Sequence, residues 1–338
     1  MKKNWFIITL VCVTVLVVIN GIVSDNKEQK RKEKEFAAFL KSEPVDTVWR
    51  GSPSSQIPYY SDPKGKLIYY GYQLISNTSY YLGPKGIVAH VTNGMNCQNC
   101  HLDAGTRPFG NNFGKVLPTY PQFRARNNGV QTVYQRINDC MQRSMNGRSL
   151  DSNSTEMKAI YAYIQWLDKD IPKNVKYGGT SLKKLPYMDS AANIVSGKQV
   201  YITKCQMCHG ADGQGQLNID ETGYAYPPLW GKHSYNDGAG MYRLTNIAAF
   251  VMANMPYGTD YHHPALTAEE AWDVGAYINS QPRPHLDQSA DWKNILKKPF
   301  DFPFGPYADN FSEAQHKYGP YPTVIKADKA LQKASAKK

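Results

Sequence analysis

The sequence has no convincing run of alternating apolar and polar residues, no recognisable nucleic-acid module, and only six cysteines among 338 residues. The first absence argues against half-buried strands, so the chain reads as all-α. The second matters because the chain is strongly basic, with 39 Lys+Arg against 28 Asp+Glu and a formal charge of +11. That balance suits nucleic acid, an anionic membrane surface, an acidic partner or an anionic substrate. Without a module to read it, nucleic acid is not expected as a partner. Apolar residues are not scarce: 41% hydrophobic and 20% charged excludes disorder as the default. The length suits two domains with extensions. Cysteines are few and oddly spaced. Cys12 lies in an apolar run, and Cys97, Cys100, Cys140, Cys205 and Cys208 make two close pairs and one left over, a poor disulfide framework.

The apolar run is Trp5 to Val23, broken by Thr9, Thr14 and Asn20 and preceded by Lys2 and Lys3. Roughly 20 apolar residues cross a bilayer as a helix. The exit Ile22-Val23-Ser24 is a weak match to the small-residue cleavage site of a signal peptide. Residues 1–24 are therefore expected to be a membrane anchor, an N-terminal hydrophobic helix, with a cleaved signal as the alternative. Two lysines before the run place the following chain outside. Both readings export it. The protein is expected in the periplasm, tethered to the inner membrane by residues 5–23 or soluble after cleavage.

Residues 25–44 read as a charged tether, 45–172 as a first unit, 173–190 as a linker marked by Gly178, Gly179 and Pro186, and 191–284 as a second unit. The extension 285–338, with several Pro and aromatic residues and a lysine-rich end, is expected to wrap a domain surface and then fray. Each unit closes on a predicted helix. Ser154 to Leu167 places Met157, Ile160, Tyr161, Ile164 and Leu167 at helical spacing. Thr267 to Ser280 opens with Thr267 and Glu270 as a capping box. The units are a degenerate repeat. Gly71-Tyr72-Gln73-Leu74 answers Gly197-Lys198-Gln199-Val200, CQNCH answers CQMCH, and Ala162-Tyr163-Ile164 answers Ala276-Tyr277-Ile278.

CQNCH (Cys97, Cys100, His101) and CQMCH (Cys205, Cys208, His209) both match C-x-x-C-H. Two thiols one helical turn apart can add to the two vinyl groups of one haem edge. The histidine that follows then sits under the iron as an axial ligand. A redox dithiol needs a βαβ setting, which is missing, and zinc would not explain the same histidine twice. Two covalently bound haems c are expected, in two cytochrome c-type domains in tandem. This also explains how four cysteines remain unpaired after export.

The sixth iron position sets potential and reactivity. In the second unit the candidate is Met255 in the loop Asn254-Met255-Pro256-Tyr257-Gly258, with Met241, Met252, His262 and His263 as rivals. The first unit has no Met-Pro loop. Its candidates are Cys140, Met141 and Met145, in the stretch from Val130 to Met145. Read as a helix, that stretch puts Arg136, Cys140 and Ser144 on one face. A lone thiol beside a guanidinium is pushed toward thiolate, a good iron ligand and a nucleophile; a buried inert cysteine is the other reading.

The segments CHLDAGTRPFG, YPQFRARNNGV and RINDCMQRSMNGRSL resemble the thiosulfate dehydrogenase family of dihaem cytochromes c, which includes tetrathionate reductases. The resemblance covers roughly Val45 to Pro282. It implies a first haem with a His/Cys pair, here His101 and Cys140, as the active site. It implies active-site arginines and a serine at Arg126, Arg136 and Ser144. The family's second haem uses His with Met, or with a Lys just before that Met; here Asn254 precedes Met255, which leaves Met255 as ligand to pair with His209. The implied reaction interconverts two thiosulfates and tetrathionate, with a soluble or membrane-bound redox partner. A non-enzymatic anchored dihaem electron carrier and a dihaem peroxidase are the alternatives.

Overall fold

In each half of the chain a glycine lets two helices cross at backbone contact. The computed structural model describes residues 62–169 and 177–336 without a break, together with residues 27, 30, 31, 34, 48, 49, 51, 52, 54–58 and 171. The anchor expected at residues 5–23 and most of the tether lie outside the described residues. Among the described residues no helix is long and apolar enough to cross a membrane. The chain divides into two units, Met1–Val45 and Asp46–Lys338. Of the first, Lys27, Lys30, Arg31 and Lys34 are described, and all four are helical and exposed.

The second unit holds the helices α1 (Pro63–Ser76), α2 (Thr78–Leu82), α3 (Leu102–Gly105), α4 (Val133–Arg143) and α5 (Thr155–Leu167). They are followed by α6 (Ile194–Lys204), α7 (Gln206–His209), α8 (Leu244–Asn254), α9 (Ala268–Ser280), α10 (Glu313–Tyr318) and α11 (Tyr321–Ser335). Local chemistry starts the main ones. Asp62 accepts from the Gly65 N–H at 2.7 Å, ahead of Pro63 at the first position of α1. Ser154 accepts from the Met157 N–H at 3.1 Å to open α5, so the predicted start at Ser154 is its cap. Thr267 and Glu270 form the expected capping box of α9, at 2.8 and 3.1 Å.

Helices α1 and α5 cross at Gly71, where an added Cβ would lie 2.0 Å from the Ala159 carbonyl oxygen. Helices α6 and α9 cross at Gly197, where it would lie 1.9 Å from the Asp273 carbonyl oxygen. The rings of Tyr72 and Tyr163 meet at 5.8 Å beside the first crossing, and those of Tyr201 and Tyr277 at 5.5 Å beside the second. The repeat read in the sequence is thus a repeat of one helix crossing. Around the first, Leu74, Ile75, Met157, Ile160 and Ile164 form a buried core. Gly71→Ala is expected to destabilise the fold by about 1–3 kcal/mol, the usual cost of overpacking. Thermal denaturation monitored by circular dichroism checks this; an unchanged midpoint would show that the helices separate without cost.

The fully α-helical expectation needs correction. Strand β1 (Gln122–Arg124) pairs antiparallel with β2 (Gly129–Gln131), and β3 (Gln216–Leu217) with β4 (Tyr224–Tyr226). Three residues are too few to show alternation, and the facing pair Phe123 and Val130 is exposed, so no buried face imprints a pattern. The helix read from Val130 also starts later. Thr132 and Gln135 make a capping box before Val133.

The linker packs on both halves. The Phe109 N–H donates to the Gly179 carbonyl at 2.9 Å, and the Trp272 indole donates to the Pro186 carbonyl at 3.0 Å. The extension does wrap the surface, but it does not fray where expected. Tyr321 and Val324 of α11 are buried, Tyr321 meets Trp272 at 5.8 Å, and the helix holds to Ser335. Upstream, buried Asp301 accepts from Arg243 and Thr245.

Candidate active site

The first C-x-x-C-H motif begins on a short turn, Cys97–Asn99. The Thr78 hydroxyl accepts from the Cys97 N–H at 2.9 Å, and Asn99 accepts from the Asn96 N–H at 2.7 Å. His101 Nδ1 donates to the Asn111 carbonyl at 2.5 Å, and its ring stacks on Phe113 at 4.5 Å. In the second motif His209 Nδ1 donates to the Pro227 carbonyl at 2.9 Å. Both imidazoles therefore carry the Nδ1 proton, which leaves Nε2 as the ligand nitrogen and fixes the ring orientation. Cys97, Cys100, Cys140, Cys205 and Cys208 are all free of disulfides.

A cavity of about 250 Å³ brings together Cys97, Cys100, His101, Arg136, Cys140 and Ser144. Helix α4 supplies Arg136 and Cys140 one turn apart, and Ser144 caps its C-terminus. Arg136 Nη1 donates to Cys140 Sγ at 3.2 Å. Burial pushes the Cys140 thiol up, but Arg136 and the facing His101 ring outweigh it and bring the thiol to about 7. Burial instead pushes Cys97 up to about 11 and Cys100 to about 12. The Cys140 charge in turn raises Arg136 against its own burial. Met141 and Met145, the other ligand candidates, also line this cavity and are buried in the apolar core around it.

Arg126 stands beside the cavity rather than in its lining. Its Nε lies 3.9 Å from Asp291 Oδ2, and its guanidinium lies 5.5 Å from the centre of the Trp292 ring. Burial, then Arg143, lower it to about 10, with Arg136 adding to the effect and Asp291 opposing it; it stays charged at neutral pH. Arg143 Nη2 donates to Asp291 Oδ1 at 2.9 Å. Asn236, from the second half, ties down the end of α4 by donating to the Gln142 carbonyl at 2.8 Å and to Asn146 at 3.0 Å.

Met255 follows α8 directly, half-buried, with its N–H donating to the Val251 carbonyl at 2.9 Å. Asn254 beside it is buried and donates to the carbonyls of Phe109 and Phe250 at 3.1 and 3.0 Å. Its rivals are otherwise engaged. Met252 is core, Met241 accepts from Asn111 at 3.7 Å, His262 packs on Tyr261 at 3.9 Å, and exposed His263 pairs with Asp260 at 3.4 Å.

Sequence reading missed Asn111, Arg143 and Asp291. Arg143 could have been found, since it lies three residues after Cys140 on the face that carries Arg136. Asp291 left no local signal.

The residues fit covalently held haem on the chemistry of the donor set. Two thiols and an imidazole with its Nδ1 proton engaged stand at an apolar cavity, and in the first half a thiol held near 7 faces that imidazole. Comparison with known proteins agrees. The SoxA/TsdA cytochrome c domain model matches residues 88–172, and the cytochrome c model matches residues 194–282. A thiosulfate dehydrogenase of Psychrobacter arcticus is 36% identical over 72% of this chain and 73% of its own length. One of Thiomonas intermedia is 38% identical over 72% and 73%, and one of Stutzerimonas stutzeri 38% over 65% and 68%. The structure of a thiosulfate dehydrogenase (TsdBA) from Marichromatium purpuratum matches with a TM-score of 0.64 and 33% identity, over 71% of this chain and 50% of that one. With two tandem cytochrome c domains and two covalently bound haems c, the chain belongs to the thiosulfate dehydrogenase family of dihaem cytochromes c.

Proposed function

We propose that this oxidoreductase interconverts two thiosulfates and tetrathionate at the Cys140 cavity. The carrying observation is the Arg136 guanidinium donating to the Cys140 sulfur at 3.2 Å in the cavity of the first haem motif. In the oxidative direction one sulfur–sulfur bond forms between two dianions and two electrons leave. When bound, the two haems supply two one-electron sites, which match that count. The rest is the chain's own work. Two dianions repel, so fixed cations must offset them in a site shielded from water. Arg136 and Arg126 hold sulfonate oxygens, Ser144 donates a further hydrogen bond, and the Cys140 thiolate engages the substrate sulfur. His101 and Cys140 would hold the iron of the first haem, and His209 and Met255 that of the second, which would supply the route for electrons to or from a redox partner. A pure electron carrier would have no need of a thiol held against a buried guanidinium in this cavity, and that reading is not favoured.

The test is thiosulfate-dependent reduction of ferricyanide, with tetrathionate-dependent oxidation of a reduced dye as the reverse assay. Activity in at least one direction is expected. A protein with both haems and no activity in either would overturn the proposal.

The proposal extends to location. The length of Trp5 to Val23 and its weak exit support a periplasmic enzyme held at the inner membrane, with a soluble or membrane-bound partner receiving the electrons. The mature protein is expected to sediment with membranes and keep its N-terminus. A soluble form beginning near Ser24 would favour a cleaved signal.

A further inference from the structure

The C-terminal extension reaches back into the first half at Asp291 and Trp292, and again where Lys297 stands 5.1 Å from the centre of the Phe123 ring. Asp291 lies between two arginines of the active-site region with its side chain only 10% exposed. Its Oδ1 accepts from Arg143 at 2.9 Å, while Oδ2 stands 3.9 Å from Arg126 Nε, beyond hydrogen-bond distance. Oδ2 is buried and has no hydrogen-bond partner among the described residues. The next residue grips Arg126 in two more ways. The Trp292 N–H donates to the Arg126 carbonyl at 2.9 Å, and the Trp292 ring takes the guanidinium at 5.5 Å. A close two-bond pair with Asp291 would occupy the face of Arg126 that an anion needs. Here the carboxylate instead binds Arg143 firmly and holds Arg126 nearby by charge alone.

We propose that Asp291 is a positioning residue, which holds Arg126 and Arg143 side by side against their mutual repulsion and presents Arg126 to the anionic substrate. This rests on the thiosulfate–tetrathionate reading of the site. Arg126 and Arg143 are long side chains carrying like charge in a buried setting. Without the carboxylate between them they would part and regain rotamer freedom. Arg143 becomes the inner anchor of the cationic wall, joined to α4 on the face of Arg136 and Cys140. The extension is thereby part of the active site, although its sequence lies 148 residues from Arg143.

Charge and position pull in opposite directions, and that separates this role from a structural one. Removing Asp291 leaves the site more positive, which favours anion capture, but misplaces the clamp. Misplacement costs the chemical step most. Asp291→Ala is expected to lower haem-normalised kcat by about tenfold or more. KM, and thiosulfate affinity by calorimetry, should stay unchanged or tighten. Asp291→Asn, which preserves shape and the acceptor for Arg143, should also lower kcat, and Asp291→Glu should restore part of it. The inference is overturned if both Asp291→Asn and Asp291→Ala keep wild-type kcat. It is equally overturned if affinity weakens in step with kcat, or if the loss merely follows haem content and thermal midpoint. Wild-type protein that neither binds nor turns over thiosulfate fails the functional reading itself, a result distinct from any of these.

Discussion

Cys140→Ala is expected to carry both covalent haems and to lose thiosulfate-dependent turnover outright. The C-x-x-C-H motifs make Cys97, Cys100, Cys205 and Cys208 the expected attachment thiols, so the substitution should leave the covalent links alone. It removes the one sulfur in the first cavity that Arg136 and His101 hold near 7. On the proposed reading a thiolate there would serve as iron ligand and as the group that meets the substrate sulfur, and alanine replaces neither. The low-spin thiolate signature in the electron paramagnetic resonance spectrum should vanish while the spectrum of the second haem persists. If the variant keeps its activity, Cys140 is an inert buried thiol. A methionine-type spectrum for both haems of the wild type would shift the axial role to Met141 or Met145.

Arg136→Ala should reduce turnover by about a hundredfold or more, the typical loss when one preorganised electrostatic group is deleted. Both haems should stay attached, and the potential of the second should be nearly unchanged, because Arg136 acts on the first cavity. Two effects combine in that number. The substrate loses a cation, and Cys140 loses the guanidinium that counters the cost of burying its charge. Arg136→Lys should restore only part of the rate, since an ammonium lacks the planar fork that meets a sulfonate and a thiolate at once. Steady-state kinetics with haem-normalised protein measures this; full activity in Arg136→Ala would remove the residue from the site.

Much of the fold was legible because it is local. The capping residues Ser154 and Thr267 and the apolar spacing of the closing helices are short-range signals, and both helices lie within a residue of where spacing put them. The paired glycines Gly71 and Gly197 showed as a repeated word, though not as a contact. The hairpins were illegible because ribbons of two or three residues bury no face. The end of the extension misled for a related reason. The extension wraps the surface as expected, but its lysine-rich composition suggests a frayed end, whereas the last helix holds to Ser335 on a few buried anchors such as Tyr321 and Val324, which composition averages away.

The sequence by itself determined the attachment chemistry, since two thiols and an imidazole within five residues need no fold to bring them together. It also determined the family, through the segment around Cys140, and the face shared by Arg136, Cys140 and Ser144, because helical spacing alone places them. Only the tertiary structure decided what sits against that face. That His101 meets Cys140, that Asn111 orients His101, and that Asp291 stands between Arg126 and Arg143 are consequences of packing. The last contact joins residues 148 apart, held by the docking of an extension whose anchors act at a distance. Local spacing encodes which groups share a helix face. The charge balance of a buried site depends on its neighbours in space, and those exist only once the chain has folded.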